Sequence, residues 1–202
     1  MLSPCSRLAR LVLVGALPLA LVAPASAQEA EPLPLPFRMT AFAVNLSGVG
    51  RTRPTTLDIV IERWSSDEEK QKLLDTLVEK GEDKLMDMVQ DIKPRAGYIR
   101  TTQSLGWDIQ VARYGELPSG GYRILFVTDR PMSFYELRNN TRSRDYDFMV
   151  CEIRLNKEGK GEGKLAAETK ITYDKEKKQV TLENYGIEPV RLTSVTADLK
   201  KK

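Results

Sequence analysis

The stretch GWDIQVARYGELPSGGYRILFVT, Gly106 to Thr128, decides the fold class. Trp107, Ile109 and Val111 alternate with Asp108, Gln110 and Ala112, the two-residue period of a half-buried strand. The segment Glu116–Gly121 carries Pro118, Gly120 and Gly121 and turns the chain. Tyr122, Ile124 and Phe126 then alternate against Leu125 and Val127. Two such runs around a Gly/Pro-bearing turn read as an antiparallel hairpin.

Working outward from this hairpin, the same period recurs on both sides. Upstream, RMTAFAVNLSG (38–48) has Thr40, Phe42, Val44 and Leu46 on one side. TTLDIVIERW (55–64) has Leu57, Ile59 and Ile61, and SGVGRTRP (47–54) turns the chain between them. The period then changes to that of a helix. Ser66 stands three residues before Glu69, the spacing of a capping box, and Asp67, Glu68 and Glu69 suit the positive end of the helix dipole. Leu73, Leu74, Leu77 and Val78 form one apolar stripe, which Gly81 closes in a left-handed conformation. A second short helix has Leu85, Met86, Val89 and Ile92 as its stripe and ends before Pro94. The strand YIRT (98–101) leads into the hairpin.

Downstream lie DFMVCEIRL (147–155), GKLAAETKITYD (163–174), QVTLENY (179–185) and PVRLTSVTADL (189–199). NKEGKGEG, DKEKK and GIE turn the chain between them, with GKGEGK (159–164) a charged hairpin turn and not a phosphate loop. Leu165, Ala167 and Ile171, with Val180 and Leu182, make an apolar face opposite Lys, Glu and Thr. The expected fold is α+β and mainly antiparallel. It is a single curved or barrel-like sheet of about eight to nine strands, with a two-helix insertion after the second strand. A two-sheet sandwich is the alternative.

The first 27 residues read as a cleaved secretory signal. Arg7 and Arg10 precede a twelve-residue apolar run, Leu11 to Val22, and Ala25 and Ala27 occupy the positions a signal peptidase reads. The run is too short to span a bilayer. Residues 28–36 read as a Pro-rich leader, 37–198 as one α+β domain and 199–202 as a basic tail. The expected location is periplasmic or secreted, without a stable membrane anchor.

Removing the signal takes the net charge from +3 to +1, which argues against nucleic acid. Cys151 is then the one remaining cysteine, so no internal disulfide forms, and its apolar run suits a buried thiol. A monomer is expected. There is no histidine, which removes Ser-His and Cys-His chemistry and nearly all zinc patterns. No metal site, cofactor or catalytic residue is assigned. A carboxylate-dependent hydrolase using two of Asp108, Asp129, Glu136, Asp145 and Asp147 is a weaker alternative.

One polar connection stands out, TDRPMSFYELRNNTRSRDYDF (128–148). Its arginines pair in the bland reading with its own acids, a wet loop. In the sharper one Arg130, Phe134, Tyr135, Arg138, Arg142, Arg144 and Tyr146 line the mouth of the curved sheet and hold a small ligand with an anionic head and apolar body. This stretch and GKLAAETKITYDKEKKQVTLENYG (163–186) together resemble an uncharacterised family of small exported bacterial proteins. That resemblance implies export and no particular activity, cofactor or site. The expected function is thus an exported non-catalytic binding protein for a small molecule or a protein partner. An envelope-associated interaction or structural module is its rival.

Exported by a bacterial host, the mature chain is expected to begin at Gln28; intact-mass measurement checks this, and retention of residues 1–27 is the contrary result.

Overall fold

A strand that alternates apolar and polar residues buries one face, and here the buried faces all point to one axis. The structure, a computed structural model, describes residues 33–44, 54–102, 104–128, 148–177, 179–184 and 189–199, without the side chains of Ala167, Glu168 and Asn184. In chain order the elements are β1 (Phe37–Val44), β2 (Thr55–Ile61), α1 (Asp67–Lys80), α2 (Glu82–Asp91), β3 (Gly97–Thr101), β4 (Trp107–Glu116), β5 (Tyr122–Thr128), β6 (Phe148–Leu155), β7 (Lys160–Asp174), β8 (Gln179–Asn184) and β9 (Val190–Ala197). Strands β1 to β6 pair in sequence, all antiparallel. β7 pairs with β6 on one edge and with β9 on the other, and β9 pairs with β1. The ring therefore closes through eight strands, and β8 lies outside it, paired with β7.

The interior is filled by side chains. Phe37, Ala41, Leu57, Ile59, Ile61, Ile99, Ile109, Ala112, Ile124, Phe126, Met149, Cys151, Ile153, Leu165 and Leu192 each have 0% of their surface accessible. A void large enough for water would leave accessible area on the side chains lining it, so these residues pack against one another. Eight strands make a barrel just wide enough for that. Outward positions carry charge instead: Arg38, Asp58, Arg100, Asp108, Arg113, Arg123, Glu152, Arg154, Glu162, Lys164 and Arg191 are all at least partly exposed. An apolar inside and a charged outside is the inverse of a membrane-spanning barrel. Among the described residues no helix is long and apolar enough to cross a membrane.

The end where β1 begins is sealed by aromatic rings. Trp64 lies 5.9 Å from Phe37 and 4.7 Å from Tyr114, centroid to centroid. Leu33, read from sequence as part of an extended leader, is 4% exposed and belongs to the barrel core. The chain crosses from β2 to α1 along the free part of β4. Ser65 N–H donates to the Ala112 carbonyl (2.8 Å) and Ala112 N–H to Ser65 Oγ (3.2 Å).

The capping box then forms as its spacing predicts. Glu69 N–H donates to Ser66 Oγ and Ser66 N–H to Glu69 Oε2, at 3.2 and 3.1 Å. Arg63 Nη1 donates to the same carboxylate at 2.8 Å, and that hydrogen bond holds Glu69 below the usual carboxylate range. Gly81 does take a positive φ of 81°, but its ψ of −176° is extended and not left-handed helical. Leu77, Leu85, Met86 and Val89 pack on the outer wall against Phe148 and Val150. Val78, expected in the stripe, is 38% exposed, and Leu73 and Leu74 are half-buried, because α1 meets the wall over a narrower arc than its apolar stripe covers.

Three bulges account for most departures from simple alternation. An extra residue in β4 falls between Ile109 and Val111, so Ala112 and Tyr114 join the inner side and Val111 leaves it. Another in β9 sits at Ser194, whose φ is 49°, and lets Leu192 and Val195 both face inward. The third, in β7 between Ala166 and Thr169, splits the apolar face expected from Leu165 through Ile171. Leu165 stays inside the barrel, while Ile171 turns to the outer wall with Phe148. In β1 the inward residues are Phe37, Met39, Ala41 and Ala43, not the expected Thr40, Phe42 and Val44. Leu57 of β2 lies opposite Ala41, so a large side chain fills the space a small one leaves, and Phe42, of the other parity, is 45% exposed.

GKGEGK is strand from Lys160 onward, and only Gly159 belongs to a turn. The turn is Asn156–Gly159, where Asn156 Oδ1 accepts from Glu158 and Lys160 N–H, and β7 starts at Lys160. Gly161 and Gly163 face Leu155 and Ile153 across β6, and Val195 and Leu192 across β9. A Cβ on Gly161 would run into the Arg154 carbonyl oxygen, and one on Gly163 would lie 2.7 Å from that of Glu152. Two glycines thus let β7 close the ring at short range.

Gly161→Ala is expected to lower the unfolding free energy by about 1–3 kcal/mol. Gly115→Ala, on β4 where a Cβ meets nothing within 4 Å, should change it by less than about 0.5 kcal/mol. Urea titration of both variants reads the contrast.

Candidate interaction surface

The β7 bulge creates a second structure on the same strand. Before it, β7 is part of the barrel. After it, Thr169 to Asp174 pair with β8 from Asn184 back to Gln179, and the last β6 pairing is Phe148 with Thr169. The two strands beyond that point form an arm, closed by a turn in which Asp174 Oδ1 accepts from Glu176 and Lys177 N–H, both at 3.0 Å. These bonds hold the Asp174 carboxyl below its usual range, the Lys177 amide contributing most.

Register decides which side chains share a face. Ile171 faces Leu182 and Tyr173 faces Val180. Ile171 and Tyr173 pack with Leu73 of α1 against the wall cluster, and Lys170 Nζ lies 2.9 Å from Glu82 Oε1 at the start of α2. The β7 half of the arm is thus seated on the helices. The β8 half is not: Val180 is 41% and Leu182 50% exposed, and Gln179, Thr181 and Glu183 are exposed too. Among the described strands β8 has one neighbour, β7, so its other edge presents unpaired backbone groups.

Val180 and Leu182 carry the apolar pattern expected of a core face, and the sequence reading assigns them to one. Two apolar residues between a charged tip and Asn184 are too few to cover a sheet, and that shortness is the signal in the sequence of an edge.

The residues expected to bind a ligand, Arg130, Phe134, Tyr135, Arg138, Arg142, Arg144 and Tyr146, lie outside the described residues, as do the signal segment, Asp129, Glu136, Asp145 and Asp147. Their flanks are described. Thr128 ends β5 and Phe148 begins β6, on neighbouring strands at the end of the barrel opposite Trp64, and both are buried. Asp108, the remaining carboxylate singled out for catalysis, is exposed and lies 2.6 Å from Arg95 Nη1, which also pairs with Glu62. This is a surface ion-pair group of the kind that contributes little. Among the described residues, no group of three His, Cys, Asp or Glu is placed to hold a metal ion.

Cys151 is fully buried inside the barrel, and that burial pushes its thiol well above the ordinary range, so it stays protonated and out of reach. Glu152 beside it points outward. Burial raises its carboxyl, but hydrogen bonds from Arg154 (2.7 Å) and Arg123 (3.0 Å) outweigh this and leave it lowered.

Comparisons with protein-family models, with curated proteins and with solved structures find no match to this chain.

If Val180 and Leu182 serve contact and not folding, the double variant Val180→Thr/Leu182→Thr unfolds within about 0.5 kcal/mol of the parent. Leu85→Ala, in the buried face of α2, costs about 2–5 kcal/mol. Equilibrium denaturation separates the two cases.

Proposed function

We propose that this chain is an exported, non-catalytic protein-interaction module that binds through β8, using its free edge and the exposed part of the arm's apolar face. The observation that carries this reading is the distribution of apolar surface. Among the described residues those of the barrel interior are buried, whereas Val180 and Leu182 expose apolar surface on an edge strand. A barrel that carries a small ligand keeps part of its interior open; one that serves as a scaffold fills it and works from outside. The absence of histidine and the signal-like first 27 residues support the non-catalytic and exported parts of the reading. An extended partner segment can add to a sheet edge through main-chain hydrogen bonds, with alternate side chains supplying selectivity.

The test is site-specific photocrosslinking in intact cells, with p-benzoylphenylalanine in place of Leu182 or, as a control, of the exposed Arg38 on β1. Protein adducts are expected at position 182 and not at 38, and Val180→Thr should deplete them. Absence of adducts at 182 overturns the proposal. So does native mass spectrometry of residues 28–202 that finds a tightly retained small molecule unaffected by Val180→Thr/Leu182→Thr.

A further inference from the structure

Resting on that reading, we infer that the arm's partner is a second copy of this chain, joined by antiparallel pairing of β8 with its symmetry mate about a two-fold axis at Thr181. A two-stranded ribbon is marginal by itself in water and needs further strands or a helix to pack on; here the helices support the β7 half and leave β8 as the unsupported half. Beyond Thr169 the arm has only β7 and β8 among the described strands, and all five β8 side chains from Gln179 to Glu183 are exposed. Natural edge strands are blunted by shortness, by proline, by bulges or by charged side chains, lysine above all. β8 has neither proline nor bulge, and its one charged residue is Glu183.

Symmetry then selects a register. A two-fold axis perpendicular to a sheet keeps every side chain on its own face. Facing residues must therefore share parity, and the axis must pass beside a residue that faces itself. Centred on Thr181, the pairing sets Val180 opposite Leu182 of the second copy and Leu182 opposite its Val180. Thr181 then meets Thr181, and Gln179 meets Glu183. Both apolar residues of the strand find apolar partners, the threonines form a favourable cross-strand pair, and an amide meets a carboxylate. Centring on Glu183 would set two carboxylates face to face, and centring on Leu182 would put Val180 against Asn184. Antiparallel alignment also brings the described tip of each arm, Asp174 to Lys177 with two acids and two lysines, toward the Glu183 end of the other. The product is a four-stranded sheet, β7–β8–β8–β7, with Ile171, Tyr173, Val180 and Leu182 of each copy on one face. Its interface is small, so association belongs to the weak, concentration-dependent class.

Cysteine crosslinking of residues 28–202 reads this register directly, since the buried Cys151 does not compete. Facing Cα atoms in an antiparallel pair lie about 4.5–5.5 Å apart, within disulfide reach. Thr181→Cys is therefore expected to form an intermolecular disulfide under mild oxidation. Gln179→Cys and Glu183→Cys each sit four residues from their own mates, roughly 13 Å along the strand, and should not. An equal mixture of those two should crosslink, and Thr181→Cys should outpace each alone by on the order of tenfold or more. Sedimentation of the parent chain should show a monomer–dimer equilibrium that Val180→Thr/Leu182→Thr shifts to monomer. A parent that stays monomeric at all concentrations, as the sequence alone suggests, overturns the inference, and so do equal crosslinking rates for the three single cysteines. A monomer that still yields adducts with another protein at position 182 overturns the inference and leaves the interaction reading intact. A dimer with no adduct at 182 except to itself supports it.

Discussion

Ring closure through β7 is the constraint on which the rest depends. One strand must pair along both edges at once, with β6 and with β9, and two inward-facing glycines permit it. At Gly161 the backbone of β6 comes so close that a methyl group would strike the Arg154 carbonyl. Everything upstream, from β1 to β6, is a meander of sequential pairings that could equally end as an open sheet. The approach at Gly161 and Gly163 converts it to a barrel, and in doing so removes two edges that would otherwise template aggregation.

Closure has a second consequence, since the inside of an eight-stranded ring is finite. Phe37, Phe126 and the ring of isoleucines, with Met149 and Cys151, fill it, and the aromatic group of Trp64, Phe37 and Tyr114 seals one end. The fold spends its largest apolar residues on its own stability. Any recognition falls to the outer surface, where charged residues form local pairs such as Arg95 with Glu62 and Asp108. Several apolar residues are exposed on that surface, Phe42 and Leu105 among them, but Val180 and Leu182 sit together on a strand with one described neighbour.

The bulge in β7 links the two halves of the molecule. A single added residue reverses which face looks inward, because side chains alternate with a period of two. It therefore takes one continuous strand from barrel wall to arm, and carries Ile171 and Tyr173 onto the helix pair. The helices are thus more than a cover for the wall: they seat the inner strand of the arm and leave the outer strand, β8, as an edge. Lys170 and Glu82 mark the point where arm and helix pair meet.

Much of this was written locally. Alternation and short apolar runs located the nine described strands, within an expected eight to nine, Ser66 and Glu69 marked the start of α1, and the change of period placed both helices after β2, because these are interactions between residues close in the chain. Even the burial of Cys151 followed from its apolar run. What the local pattern could not carry was which parity faces inward when both are apolar, as in β1, or where an extra residue shifts it, as at positions 110, 167–168 and 194. Those depend on volume and register supplied by strands distant in sequence. The same holds for Val180 and Leu182. Their alternation announced a strand, but an apolar residue is core or contact surface according to what lies over it, and among the described strands the closure of the ring through β9 leaves β8 with β7 as its one neighbour.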